Sequence, residues 1–211
     1  FGDVEVNAAQ ESSDILPAFS GTYINGDHQF RVAYSETLSR PDFRELSPAA
    51  FTNPVTGREV VGNPNLKIAN ITNYDFRWEW YFGFGDSMSL GLFYKEFENP
   101  IESVVQPGAE ARQTFTNAEA GENTGVEFEI SKRLDFLGDR WEDFYIQSNI
   151  AFIDSQVTIA EKDRGILTST SRALQGQSDW LFNAQIGYEP FSGTTATVLY
   201  HYFGERISEV G

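Results

Sequence analysis

Tyr74-Asp75-Phe76-Arg77-Trp78-Glu79-Trp80-Tyr81-Phe82-Gly83-Phe84 carries an aromatic ring at every even position, with Asp75, Arg77, Glu79, Tyr81 and Gly83 between the rings. Side chains of an extended chain point alternately to its two faces. A period of two over eleven residues therefore predicts a β-strand with one wholly aromatic face and one largely polar face. A helix, turning about 100° per residue, would scatter the same rings around its axis.

The same period recurs along the chain. Phe30, Val32 and Tyr34 alternate with Arg31, Ala33 and Ser35, and Val126, Phe128 and Ile130 alternate with Glu127, Glu129 and Ser131. Met88, Leu90, Leu92 and Tyr94 form another such face. Trp180, Phe182, Ala184, Ile186 and Tyr188 form one more, and Ala196, Val198, Tyr200 and Tyr202 a further one. The alternation weakens around 145–154. Around 15–23 it holds Pro17 within the run, which predicts an edge strand or a strand end, because proline cannot donate to a ladder. About eight strands and no long helix are expected.

The connections sort these strands. Asn25-Gly26-Asp27, Gly85-Asp86-Ser87 and Pro190-Phe191-Ser192-Gly193 read as tight hairpin turns, and 134–142 falls where a fourth short turn is due. Between them the chain makes long excursions at 39–70, 98–113 and 156–172, rich in Pro, Gly, Asn, Ser and charge. In an antiparallel meander, strict alternation of short and long connections puts every tight turn at one end of the sheet and every long loop at the other. With strands of about ten residues and alternating faces, this is the pattern of an outer-membrane β-barrel. Lipid offers the backbone no hydrogen-bond partners, so a sheet crosses it only when every strand is paired.

Composition fits this reading. The 211 residues include 18 Phe, 9 Tyr and 4 Trp, a surplus that a lipid-facing surface absorbs. Polar residues facing a wet lumen account for the mean hydropathy of −0.36. Fifteen basic against 31 acidic side chains give a net charge of −16, which argues against nucleic acid as a partner, since that affinity comes from Lys and Arg. The absence of cysteine removes disulfides, thiolate nucleophiles and Cys-ligated metal sites. No stretch approaches the roughly 18 to 20 apolar residues of a transmembrane helix, and the polar, acidic first thirteen residues do not form a secretory signal. The chain opens at Phe1 and Met88 is its only methionine, so it is expected to be a processed product or a segment of a longer chain.

Candidate chemistry is sparse. Asp75 with Glu79, and Glu127 with Glu129, pair carboxylates on one strand face, an arrangement that serves acid–base hydrolysis of glycosides. Lumen-facing charge balanced by Arg77 is the simpler account. His28 and His201 lack metal-ligand spacing and are expected to be structural. Glu96, Glu98, Glu102, Glu110, Glu119, Glu122, Glu127 and Glu129 stand against only Lys95 and Arg112, yet no compact calcium loop organises them. Solvated loop charge is the expectation for this run. Phosphate-binding, dinucleotide and nucleophile-elbow motifs are absent, so no catalytic residue, metal or cofactor is expected.

Several local strings together resemble the C-terminal barrel portion of TonB-dependent outer-membrane receptors. Ser39-Arg40-Pro41-Asp42-Phe43 is similar to that family's "SRP-x-F" segment, and Gly62-Asn63-Pro64-Asn65-Leu66-Lys67 to its "GNP-x-L-K" segment. Asn73-Tyr74-Asp75 through Glu79 and Tyr81 resembles the strand that follows. Leu92-Phe93-Tyr94-Lys95, Asn99-Pro100-Ile101, Asn117-Ala118, Gly125-Val126-Glu127 and Leu174-Gln175-Gly176-Gln177-Ser178 follow in the family's order. The resemblance spans about 15–206. It implies an all-β fold: an antiparallel up-and-down transmembrane segment of about eight strands from a barrel of about 22, the larger barrel enclosing a plug. Residues 1–211 are accordingly expected to be a partial barrel domain, without the plug, the energy-coupling box or the terminal strand, and unable to transport alone.

By the same resemblance the parent takes up a scarce nutrient, of the ferric siderophore or oligosaccharide class, across the outer membrane of a Gram-negative bacterium. Its implied partners are outer-membrane lipid, the TonB energy-coupling complex reached through the absent N-terminal part, and a small-molecule or oligosaccharide ligand. Loop residues Arg44, Asn53, Arg58, Asn63 and Asn65 are the expected ligand contacts. Asp75, Arg77, Glu79, Glu127, Glu129, Asn183 and Gln185 are expected to face the lumen, and Tyr74, Phe76, Trp78, Trp80, Phe82, Trp180 and Phe182 the lipid. Two alternatives stand beside this: a soluble all-β carbohydrate-binding or adhesion domain with the aromatic faces as its core, and a barrel enzyme using the lumenal carboxylates.

Overall fold

The computed structural model describes residues 12–106, 112–159, 171–191 and 193–208. In chain order its strands are β1 (Ala18–Asn25), β2 (His28–Ser39), β3 (Phe51–Thr52), β4 (Glu59–Val60), β5 (Ala69–Gly83), β6 (Asp86–Glu98), β7 (Ile101–Gln106), β8 (Arg112–Asn117), β9 (Ala120–Arg133), β10 (Phe144–Thr158), β11 (Ser171–Arg172), β12 (Trp180–Tyr188) and β13 (Ala196–Phe203). One sheet runs β1-β2-β5-β6-β9-β10-β12-β13, with β11 laid against the end of β10. Each neighbour in it is antiparallel to the next, which makes an eight-stranded meander.

Every segment with a period of two becomes one of these eight strands. The weak segment at 145–154 becomes the fifteen-residue β10, held on both sides by β9 and β12. Pro17 stands just before β1, where its carbonyl accepts the Glu36 N–H at 2.9 Å, and β1 is an edge strand. The hairpins close where expected: Asn25 pairs with His28 and Gly83 with Asp86. At their tips Gly26 and Gly85 take φ of +58° and +77°, a region that disfavours residues carrying a Cβ. β9 and β10 are joined by two 3-10 turns, Asp135–Leu137 and Asp139–Trp141. The turn between β12 and β13 closes around Pro190 and Gly193; Ser192, assigned to it from sequence, lies outside the described residues.

The long connections correct one expectation, since they are more than irregular excursions. They contain a helical turn, α1 (Phe43–Leu46), and a second sheet in the order β3-β4-β8-β7, in which β4 and β8 are parallel and join two different loops. Strands of two to six residues are too short to show a period, and the pair that joins the loops, Val60 with Gln113, is distant in sequence. Of the third loop, 160–170 lie outside the described residues, as does Glu110 of the acidic run.

The most buried apolar side chains gather at this loop end. Val60, Leu66, Ala69, Ala118, Val157 and Ile159 are buried there, with Ala151 and Leu134 farther along the sheet. The wall itself has no comparable core. Phe19, Tyr23, Val198 and Tyr200 are each more than half exposed on the two edge strands.

Candidate functional site

Directly paired residues share a face of a sheet, so the registers sort the side chains. One row crosses the wall as Gln29, Glu79, Ser89, Glu129, Asn149, Asn183 and His201, from β2 to β13. It is tied by hydrogen bonds. Gln29 Nε2 donates to Glu79 Oε2 at 2.9 Å, Arg77 Nε to Glu79 Oε1 at 3.1 Å, and Ser89 Oγ to Glu129 Oε2 at 3.2 Å. The Arg77 guanidinium also reaches over β6 to pair with Glu129. Asn183 Nδ2 donates to Asn149 Oδ1 at 2.8 Å, and His201 Nδ1 lies 2.7 Å from Asn183 Oδ1. All of these but Gln29, together with Gln147 and Gln185 of the adjacent row, line a concavity of about 340 Å³.

All seven residues read from the sequence as polar-face candidates, Asp75, Arg77, Glu79, Glu127, Glu129, Asn183 and Gln185, lie on this face. The sequence reading missed four members of the row, Gln29 among them because it lies beside the Asn25-Gly26-Asp27 turn, before the alternation that starts at Phe30. Ser89 is too small to mark an alternation, Asn149 sits in the weakest segment, and His201 was read as structural. Aromatic rings on this side lie flat over glycines. A Cβ on Gly125 would collide with the Phe93 ring, and one on Gly187 with the Tyr145 ring.

The opposite face is apolar. Phe30, Trp78, Leu90, Phe128, Ile150, Phe182 and Tyr202 form one row, and Val32, Phe76, Leu92, Val126, Phe152 and Trp180 the next. Tyr74, Trp80 and Phe82 share it, so all seven residues read as the aromatic face are on one side. His28 stacks on Trp78 and Trp80 with ring centroids 5.9 and 5.7 Å apart. Toward the loops the face ends in Tyr34, Tyr74 and Tyr94, followed at once by Glu36, Glu96 and Glu122. Toward the turns Lys132 pairs with Asp86 and sits over the Phe82 and Phe136 rings. From Tyr74 to Phe82 the strand rises about 26 Å. At the usual barrel tilt this makes an apolar band roughly 20 Å tall, near the height that an outer membrane requires.

The loop candidates are held in various ways. Arg44 is exposed, with its guanidinium 5.5 Å from the Phe51 ring centre. Asn53 Oδ1 accepts the Val55 N–H at 2.9 Å, an Asx turn, and Arg58 is half-buried. The Asn63 side chain is occupied internally: Nδ2 donates to Phe115 O at 3.0 Å, and Oδ1 accepts from the exposed Asn65 N–H at 3.0 Å. Asp42 caps α1 reciprocally with Glu45, and the Gly62 and Asn63 N–H groups donate to the carbonyls of Ser47, just after α1, and of Glu45 within it. The described acids of the 96–129 run do not gather. Glu129 lines the concavity and Glu127 lies on the same face beside it, Glu96 and Glu122 are on the apolar side, and Glu102 is buried against Arg172.

An antiparallel meander with one aromatic and one polar face, tight turns at one end and a structured loop layer at the other, is a piece of outer-membrane barrel wall. The family model described as "TonB dependent receptor-like, beta-barrel" matches residues 2–210, and the chain belongs to that family. It is a family of transport receptors of Gram-negative outer membranes, which sets aside the soluble adhesion reading. Among solved structures, the chain is similar to the copper transporter OprC, at 15% identity and a TM-score of 0.61 over 91% of this chain and 26% of that one. It is also similar to the siderophore receptor PirA of Pseudomonas aeruginosa, at 14% identity and a TM-score of 0.59 over 89% of this chain and 34% of that one. The ferric enterobactin receptor PfeA of the same organism gives 14% and 0.58 over 90% and 28%. The chain thus spans about a third or less of the structures it matches. No curated protein sequence matches it.

Proposed function

We propose that this chain is part of the wall and loop crown of a receptor that takes up a scarce nutrient, of the ferric siderophore or oligosaccharide class, across the outer membrane. The observation that carries this is the two-faced meander itself, with a band of rings on one side and a hydrogen-bonded polar row on the other. The apolar face meets lipid, the polar face meets the lumen, and the loop layer faces outward, where Arg44, Asn53, Arg58, Asn63 and Asn65 are the residues to test for ligand contact. The carboxylates Glu79 and Glu129 are neutralised by Arg77 and hydrogen-bonded, which suits a wall and not a hydrolytic pair. Energy comes from a TonB complex that engages another part of the receptor.

The test is uptake by the source bacterium. Deletion of the gene for the full-length receptor is expected to abolish accumulation of one labelled ferric siderophore or one labelled oligosaccharide, and loss of TonB is expected to do the same. Undiminished uptake across both classes would overturn the assignment.

A further inference from the structure

Several of the sequence strings that mark the family, those at 62–67, 99–101, 117–118 and 174–178, gather at the loop end of the wall, away from the concavity. Asn117 Oδ1 accepts the Lys67 N–H at 2.7 Å, while its Nδ2 donates to Lys67 O at 3.0 Å and Asn99 O at 2.7 Å. One side chain thus replaces a strand rung between the first and second long loops, beside the parallel β4–β8 pair and the Asn63 to Phe115 bond. A Cβ on Gly62 would collide with the carbonyl oxygens of Ser47, Arg44 and Glu45, so that segment is seated against α1 without slack.

The second and third loops are joined by charge. Arg172 grips Glu102 with both arms, Nη1 to Oε1 at 2.9 Å and Nη2 to Oε2 at 2.7 Å, and the side chains are 14% and 3% exposed. Gln175 closes the joint: its Oε1 accepts the Ser103 N–H at 2.9 Å, and its own N–H donates to Glu102 Oε1 at 3.4 Å. Gln175 Nε2 and the Gly176 N–H then donate to Ser208 O and Ile207 O, beyond β13. Leu66, Ala118, Val157 and Ile159, at the same end of the wall, are buried.

We propose that Asn117, Glu102 and Arg172 are positioning residues that clamp the described parts of the three long loops, at 62–67, 99–117 apart from 107–111, and 171–178, into one rigid crown, so that ligand meets a preformed surface and not loops that close separately. A bidentate pair this deeply buried is costly to break singly, because the survivor is left charged and uncompensated. Opening any one loop must therefore open the others. This rests on reading the chain as receptor wall. If that reading fails, the full-length protein will be missing from the outer membrane, whereas the present inference is decided by exchange within the folded receptor.

The experiment is amide hydrogen exchange on the full-length receptor in detergent, with resistance of the unheated protein to SDS as the check on barrel folding. Glu102→Gln is expected to speed exchange about tenfold not only at 171–178 but also at 101–117 and 62–67, with β5 and β9 unchanged. The exchanged pair Glu102→Arg with Arg172→Glu is expected to restore slow exchange in part. Acceleration confined to 171–178, or none at all, overturns the inference. Should the variants fail to fold, spin labels at Val55→Cys and Gln106→Cys of the receptor with Asn117, Glu102 and Arg172 unchanged decide it: one narrow distance distribution is expected, and a broad one overturns it.

Discussion

At the residue scale, position in the register decides what a side chain tolerates. Phe76 sits mid-band, between Val32 and Leu92. Phe76→Arg is expected to destabilise the full-length receptor by about 2–4 kcal/mol, as arginine does at a bilayer midplane. Gln29→Lys on the opposite face keeps a partner in Glu79 and is expected to be near neutral. Urea titration of receptor folded into vesicles measures both. Gly125 is fixed differently: Phe93 covers it, so Gly125→Ala is expected to cost about 1–3 kcal/mol by overpacking. Phe93→Ser in the same chain should recover most of that cost, and a double-mutant cycle by the same titration shows whether it does.

At the scale of elements, Arg77 ties β5 to β9 across β6. Arg77→Ala is expected to lower the urea midpoint modestly, by the equivalent of about 1 kcal/mol or less, because both partners are partly solvated. The loss should shrink in high salt. In the loop layer, Gly62→Ala is expected to release α1 from its seat, visible as fast exchange of the Ser47 and Asn63 amides with the wall protected.

The same scale shows what the sequence could reveal. Eight strands and their turns were legible because the rings of β5 or the apolar positions of β9 repeat every second residue, and because Gly26 and Gly85 stand where only a turn accepts them. The crown was not legible. Its strands are too short for a period, and Glu102 meets Arg172 across 70 residues in a run where surplus acid reads as solvated charge. Asn63 looked like a ligand contact for a related reason: a polar side chain in a long loop gives no local sign that its partner is Phe115 O, 52 residues on.

At the scale of the whole molecule, the decisive feature is that, among the described residues, β1 and β13 are each paired on one side only. Such edges are templates for strand addition. The 211-residue chain, refolded without detergent, is expected to elute from a sizing column as aggregate; a monodisperse monomer with a cooperative unfolding transition would contradict the wall reading. The crown adds a consequence for chimeras. Since Asn117, Glu102 and Gln175 stitch neighbouring loops together, recognition in such a receptor travels as a cassette. Grafting one loop from a cousin should cripple the host, and grafting all three together should transplant the cousin's appetite.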